Sequence, residues 1–284
     1  MTDGRRRPTT DRQTPVSRAA RSLFFCVTYL TYLLLVMGPV QWLVLAPWLR
    51  LRPDLRGNLL GPWQRSQAWV VLGLARVLAG VRVTIEGAIP PQSVIVVMNH
   101  QSQFDIPVAF RLITGPSPLV PIRRRYAKVP VFSTLFRLAG HPLVDPGRRG
   151  TPEDRAAMQR AVESLGRGEH SFLIYPEGHR SPEGTIQPFH TGGLRLAFEH
   201  APQHPVYAVL VEGFASIRTF ADVALRLADT RATATVMGPF TIPHDPDQQD
   251  AFIASLRQRM VDRLADQARR RDPRTDDERA PARA

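Results

Sequence analysis

The chain has one cysteine and one lysine. Cys26 is the only thiol, so no disulfide can form within the chain. This suits a reducing, cytoplasmic setting. It lies inside an apolar run, where a packed or lipid-facing thiol is a plainer reading than a nucleophile. Lys128 is the sole lysine, so every other cation among the 37 basic residues is an arginine. No G-x-S-x-G elbow is present, which argues against a serine hydrolase. Zinc-ligand spacing, a Gly-rich phosphate loop and an aromatic RNA-binding pattern are also missing. The formal net charge of +12 therefore has no nucleic-acid motif to direct it. Charge alone leaves the partner open, since a basic balance fits an anionic membrane as well as nucleic acid.

A long uncharged segment supports the membrane. From Ser22 to Leu49 no residue carries a charge, and about 20 apolar residues suffice to cross a bilayer core. All four tryptophans, Trp42, Trp48, Trp63 and Trp69, fall in or just after it, and tryptophan prefers the membrane interface. A second, weaker apolar stretch covers residues 68–75. A cleaved signal peptide would need a shorter apolar region and a small-residue cleavage site, which Leu45-Ala46-Pro47-Trp48 does not offer. Arginines flank both ends of the run: Arg5, Arg6, Arg7, Arg12, Arg18 and Arg21 before it, Arg50, Arg52 and Arg56 after it. Gly38-Pro39 and Pro47 are expected to interrupt it. A bent or re-entrant hairpin satisfies arginines on one side; a single spanning helix is the alternative.

The remainder reads as α/β. Strand-like runs occupy 81–86, 93–98, 119–122, 171–175, 205–211 and 233–237. Helical patterns occupy 106–113, 127–138, 152–165, 194–200 and 252–264. Such alternation predicts a mixed, largely parallel sheet flanked by helices, preceded by N-terminal membrane-embedded helices. Functional residues then belong past the strand ends.

Two segments sit there. Asn99-His100-Gln101-Ser102-Gln103-Phe104-Asp105 follows the run at 94–98, and Tyr175-Pro176-Glu177-Gly178-His179-Arg180-Ser181 follows 171–174. An imidazole takes a proton near neutral pH, and a carboxylate can hold its tautomer. His100 and Asp105 are thus a candidate general-base pair for a hydroxyl. Asp105 could equally be a plain helix cap ahead of Ile106-Pro107. Ser102 reads as a turn residue. Two such segments in this order resemble the glycerolipid acyltransferases that acylate glycerol-3-phosphate and lysophosphatidic acid. Their NHxSxxD motif fits 99–105 at every specified position. Their FPEGTRS motif fits 175–181 with Tyr175 for Phe and His179 for Thr. Arg123-Arg124-Arg125 and Lys128-Val129-Pro130-Val131-Phe132 resemble the intermediate block. Its terminal aspartate-arginine is replaced by Asp145-Pro146, with Arg148 and Arg149 just beyond. Pro188-Phe189-His190-Thr191-Gly192 resembles a PFKTG segment with His190 for lysine. The resemblance covers roughly 81–240.

The resemblance implies an enzyme moving an acyl group from acyl-CoA or an acyl carrier protein onto 1-acyl-glycerol-3-phosphate. The product would be phosphatidic acid. Another lysolipid acceptor, such as a lyso-aminolipid, lysophospholipid or glycolipid, is the alternative, and a membrane ester hydrolase a lesser one. His100 and Asp105 would be catalytic. Glu177, Gly178, Arg180, Arg123 and Arg124 would bind substrate, with Arg123 or Arg124 facing the oxyanion and Arg180 the acceptor phosphate. No metal or resident cofactor is implied. The organisation is 1–21 disordered basic leader, 22–79 membrane-anchoring helices, 80–268 acyltransferase α/β domain and 269–284 disordered tail. The expected location is the inner, cytoplasmic membrane, with the catalytic domain facing the cytoplasm.

Overall fold

The computed structural model describes residues 15–145, 150–181 and 183–271. The remaining leader (1–14), Pro146, Arg148, Arg149 and the tail from 272 lie outside the described residues. Helical order begins at Pro15, so the last stretch of the expected disordered leader is helix instead. Contacts explain this. Arg21 pairs with Asp229 at 3.0 Å, and the Ser22 hydroxyl accepts the Ala228 N–H at 2.9 Å. Likewise the last helix runs to Arg271, past the expected tail boundary at 269.

One continuous helix spans Pro15–Leu51, and most of its apolar stretch is left uncovered by the rest of the chain. It is long and apolar enough to cross a membrane by length and composition. It comprises α1 (Pro15–Tyr32), two wider π-helical stretches (Leu33–Met37 and Val40–Leu45) and α2 (Ala46–Leu51). The expected break at Gly38-Pro39 does not occur. Gly38 N–H donates to the Leu33 carbonyl five residues back, so the wide turn absorbs Pro39, which has no N–H to give. Pro47 is the second residue of α2, directly after the second wide stretch, and the helix runs through it as well. The reversal comes at Pro53–Leu55, and α3 (Arg56–Ala79) returns. Gly80 ends it in the left-handed conformation, at φ 70°.

The rest of the chain follows as β1 (Arg82–Glu86), β2 (Ile95–Met98), α4 (Asp105–Leu112), β3 (Pro118–Leu119), β4 (Ile122–Arg123) and α5 (Phe132–Ala139). Next come β5 (Leu143–Val144), α6 (Pro152–Gly166), β6 (Ser171–Ile174), α7 (Gly192–His200) and β7 (Val206–Glu212). The chain finishes with α8 (Phe220–Arg226), β8 (Arg231–Phe240) and α9 (Pro246–Arg271). The main sheet has the order β1-β8-β7-β2-β6-β3, and only β7–β8 is antiparallel among the described pairings. The expected strand over 119–122 is two strands in different sheets, because Pro121 offers no N–H to a ladder. The expected helix over 127–138 is a 3₁₀ stretch (Arg124–Lys128) and α5, separated at Val129-Pro130-Val131.

Both faces of the sheet are covered, so β2, β6 and β7 are buried at every residue and read as unbroken apolar runs. One face packs on Ala161, Leu165, Leu194, Phe198 and Leu256 of α6, α7 and α9. The other packs on α4 and on Ala68, Val71, Leu72, Ala75 and Ala79 of α3, with Phe25 of α1. α1 and α3, which lie before the boundary expected at 79/80, thus pack against this face of the sheet. The buried face of α3 mixes Ala68, Ala75 and Ala79 with Gly61, Gln64 and Gln67, which carry little hydropathic signal.

Candidate active site

Parallel register assembles the site. Val97 of β2 lies beside Ile174 of β6, and three residues further along each strand come His100 and Glu177. Both loops thus leave the same sheet edge. The Asn99 side chain extends the ladder, donating to the Val211 carbonyl at 2.8 Å and accepting the Val211 N–H at 2.7 Å.

Asp105 opens α4 but caps the loop before it. Its Oδ2 accepts backbone N–H groups of Gln101 (2.6 Å) and Ser102 (2.8 Å) and receives His100 Nδ1 at 2.9 Å. Asp105 is fully buried, while the His100 side chain is 18% exposed. Three donors on one oxygen require an acceptor there, so Nδ1 carries a proton, which in the neutral imidazole makes Nε2 the acceptor nitrogen. Among the described residues Nε2 has no protein partner. The Tyr175 ring stacks on the imidazole with centroids 4.3 Å apart.

Glu177 is buried and bridges the loops. Its Oε1 accepts the His100 N–H at 2.8 Å and its Oε2 the Gln187 N–H at 2.9 Å. Burial raises its pKa, and those two N–H groups partly oppose that rise. The Ser181 N–H donates to the His100 carbonyl at 2.7 Å, a second tie. Gly178 has φ 69°, and a Cβ there would meet the His190 ring at 3.1 Å. Only glycine suits that turn. His179 Nδ1 donates to the Glu177 carbonyl at 2.6 Å.

Two arginines reach these loops. Arg123 donates to the Gly178 carbonyl at 2.5 Å. Arg180 donates to Gln103 Oε1 at 2.8 Å, to the Tyr126 hydroxyl at 2.7 Å and to the Arg218 carbonyl. Burial of Tyr126 would raise its pKa, but Arg125 and Arg180 outweigh that and draw it down. Arg124 is the exception among the expected residues. It is held by Asp154 at 2.5 Å and Asp145 at 3.2 Å, where it ties β4 to the start of α6. Asp154 is buried, and this pairing holds the Arg124 guanidinium on the scaffold, whereas Arg123 reaches the Gly178 carbonyl.

Sequence reading missed Gln103, Tyr126 and the Arg218 carbonyl, which aim Arg180. Gln103 sits inside the NHxSxxD motif, at one of its unspecified positions. The buried Ser102 hydroxyl donates to the Ile217 carbonyl at 2.5 Å and accepts the Phe104 N–H at 3.3 Å.

Residues 80–212 match the family model described as Acyltransferase. The lyso-ornithine lipid O-acyltransferase of Pseudomonas aeruginosa is 34% identical over 159 residues, covering 55% of this chain and 57% of the relative. A 1-acyl-sn-glycerol-3-phosphate acyltransferase of Limnanthes alba is 28% identical over 187 residues, covering 65% and 62%. The chain thus spans about three fifths of the length of these curated relatives. The crystal structure of the 1-acyl-sn-glycerophosphate acyltransferase PlsC from Thermotoga maritima superimposes with a TM-score of 0.64 at 19% identity. That match covers 88% of this chain and 97% of the other, and establishes the fold.

Proposed function

Because the chain belongs to the glycerolipid acyltransferase family through residues 80–212, we propose that it acylates the free hydroxyl of 1-acyl-glycerol-3-phosphate, forming phosphatidic acid. The observation that carries this reading is the open Nε2 of His100, with its other nitrogen held by Asp105 at 2.9 Å. The acceptor hydroxyl gives its proton to Nε2 while its oxygen attacks the thioester carbonyl. Asp105 holds the imidazole in place and stabilises the imidazolium. The tetrahedral intermediate collapses, the C–S bond breaks, and the leaving thiolate takes the proton from His100.

Arg123 is the cation we assign to the oxyanion, a contribution worth about 3–4 kcal/mol in comparable sites. Arg180, aimed by Gln103 and Tyr126, receives the acceptor phosphate. Glu177 positions the His100 loop from beneath. The donor is acyl-CoA or an acyl carrier protein thioester, with no resident cofactor.

We place the enzyme on the cytoplasmic face of the inner membrane. The helix Pro15–Leu51 keeps contact with the domain from Ala228 at one end to Ala139 at the other. Arginines stand at both ends, and Leu23, Phe24, Val27, Leu35, Leu43 and Trp48 between them are exposed. A helix pinned along a soluble domain and charged at each end suits the interface plane better than a crossing.

A second acceptor, a lyso-aminolipid, is favoured by one observation: the lyso-ornithine lipid relative is more similar in identity than the glycerophosphate one. The test offers labelled acyl-CoA and acyl carrier protein thioesters with lysophosphatidic acid and a panel of uncharged and zwitterionic lysolipids. His100-dependent product from lysophosphatidic acid supports the first reading. Product from a lyso-aminolipid alone moves the acceptor.

A further inference from the structure

The reversal of the N-terminal helical pair leaves a cavity of about 570 Å³ between α2, the turn at Pro53 and α5. Arg50, Arg56 and Arg137 line it, together with the apolar side chains of Leu49 and Leu138. No carboxylate lines it. Asp54, the acid adjacent in sequence, is paired with Arg52 at 2.9 Å. Among the described residues Arg50 and Arg56 make no side-chain hydrogen bond or ion pair. Arg137 donates only from Nε, to the Ser133 carbonyl at 3.2 Å. Three exposed guanidiniums therefore face one concavity with most of their donors unspent. Like charges converging without a counter-ion repel one another, and an anion between them removes that cost.

The surroundings say which anion. Leu43 and Leu51 on the adjoining helix are each 76% exposed, and Trp48 is 51% exposed. A free phosphate gains nothing from that apolar strip. A phospholipid gains twice, with its phosphodiester on the arginines and its acyl chains along the leucines and Trp48. We infer that Arg50, Arg56 and Arg137 form a binding site for the headgroup of one anionic diacyl glycerophospholipid, separate from the site at His100. None of the lining residues belongs to the loops 99–105 or 175–181. The inference rests on the membrane-surface reading above and adds to it a specific lipid contact at the tip of the helical pair.

The test is direct binding, without turnover. Dihexanoyl-phosphatidylglycerol, kept below its micelle concentration, is titrated calorimetrically into the full chain in an uncharged detergent. Dihexanoyl-phosphatidylcholine and inorganic phosphate form the comparison arms. One saturable site is expected for phosphatidylglycerol. Arg50→Gln/Arg56→Gln/Arg137→Gln should weaken it at least ~10-fold, the loss of one or more charge-assisted contacts. The control Arg82→Gln/Arg160→Gln/Arg231→Gln removes the same charge from exposed arginines elsewhere and should bind as wild type. Matching thermal transitions establish that both variants fold. Equal weakening in both triples would reduce the effect to overall charge and overturn the site. Equal binding of phosphatidylcholine, or full saturation by inorganic phosphate, would overturn the anionic-lipid assignment. Acyl transfer in uncharged mixed micelles should survive in the first triple, so failure of the lipid site and failure of the acyltransferase reading give different results.

Discussion

The Tyr175 ring lies over the His100 imidazole at 4.3 Å, yet its own hydroxyl is buried and finds no hydrogen-bond partner among the described residues. Burial first, and the nearby Asp105 carboxylate second, push that hydroxyl well above its ordinary pKa, so it stays protonated. Oδ1 of Asp105 is likewise buried and unpartnered. The stacked ring is useful and the orphan hydroxyl costly. Tyr175→Phe should keep activity and raise unfolding free energy by about 1–2 kcal/mol, the cost of an unsatisfied buried hydroxyl. Tyr175→Ala should lose both packing and activity. Denaturant titration and steady-state rates distinguish the two; a large rate loss in Phe would show that the hydroxyl acts.

His100→Ala should lower kcat by roughly 10²–10⁴, the usual share of a general base, with little change in the melting transition. Asp105→Asn is expected to be worse for stability. Its amide nitrogen or oxygen must face three N–H donors that now converge on one oxygen. Circular dichroism beside the rate measurement separates these outcomes.

Ser102→Ala should leave the rate per folded molecule nearly intact while costing about 1–3 kcal/mol of stability. The Ile217 carbonyl and Phe104 N–H lose their buried partner. A Ser102→Ala enzyme that folds normally but is inactive would instead indicate a serine nucleophile.

His141 is fully buried, and its Nδ1 accepts the Val120 N–H at 3.1 Å. Burial foremost, then the charge of His170, lowers its pKa from 6.5 to about 3. The unfolded chain therefore binds the extra proton first. The stability held above pH 6.5 is lost as pH falls toward about 3, by at most about 1.4 kcal/mol per unit. Urea unfolding across that range should show this slope, and His141→Asn should flatten it.

Arg124→Gln should destabilise the protein by leaving Asp154 buried without its cation, and should leave KM for the acceptor unchanged. A raised KM with unaltered melting would return Arg124 to the substrate.

Much of the site was legible because its residues are contiguous. Asn99 to Asp105 and Tyr175 to Ser181 each follow a strand buried on both faces, and such strands read as apolar runs. The pairing of His100 with Asp105 was also within reach, five residues apart. Distant partners were not legible. Gln103 meets Arg180 across 77 residues, and Tyr126 meets it across 54. Arg123 and Arg124 are adjacent arginines with equal chemistry, yet one reaches Gly178 and the other Asp154. No local pattern tells them apart.

The N-terminal apolar segment shows the same division. By itself the sequence determined an uncharged run from Ser22, arginines at its ends and a histidine past a buried strand. Those follow from side-chain chemistry and period, which are local. Only the tertiary structure decided that the run is one helix through Pro39, turns at Pro53 and lies against the sheet domain. It likewise decided that β2 and β6 are parallel neighbours in a register that sets Glu177 under His100. Such choices depend on which surfaces bury one another across long stretches of chain, and that packing is a property of the assembled core.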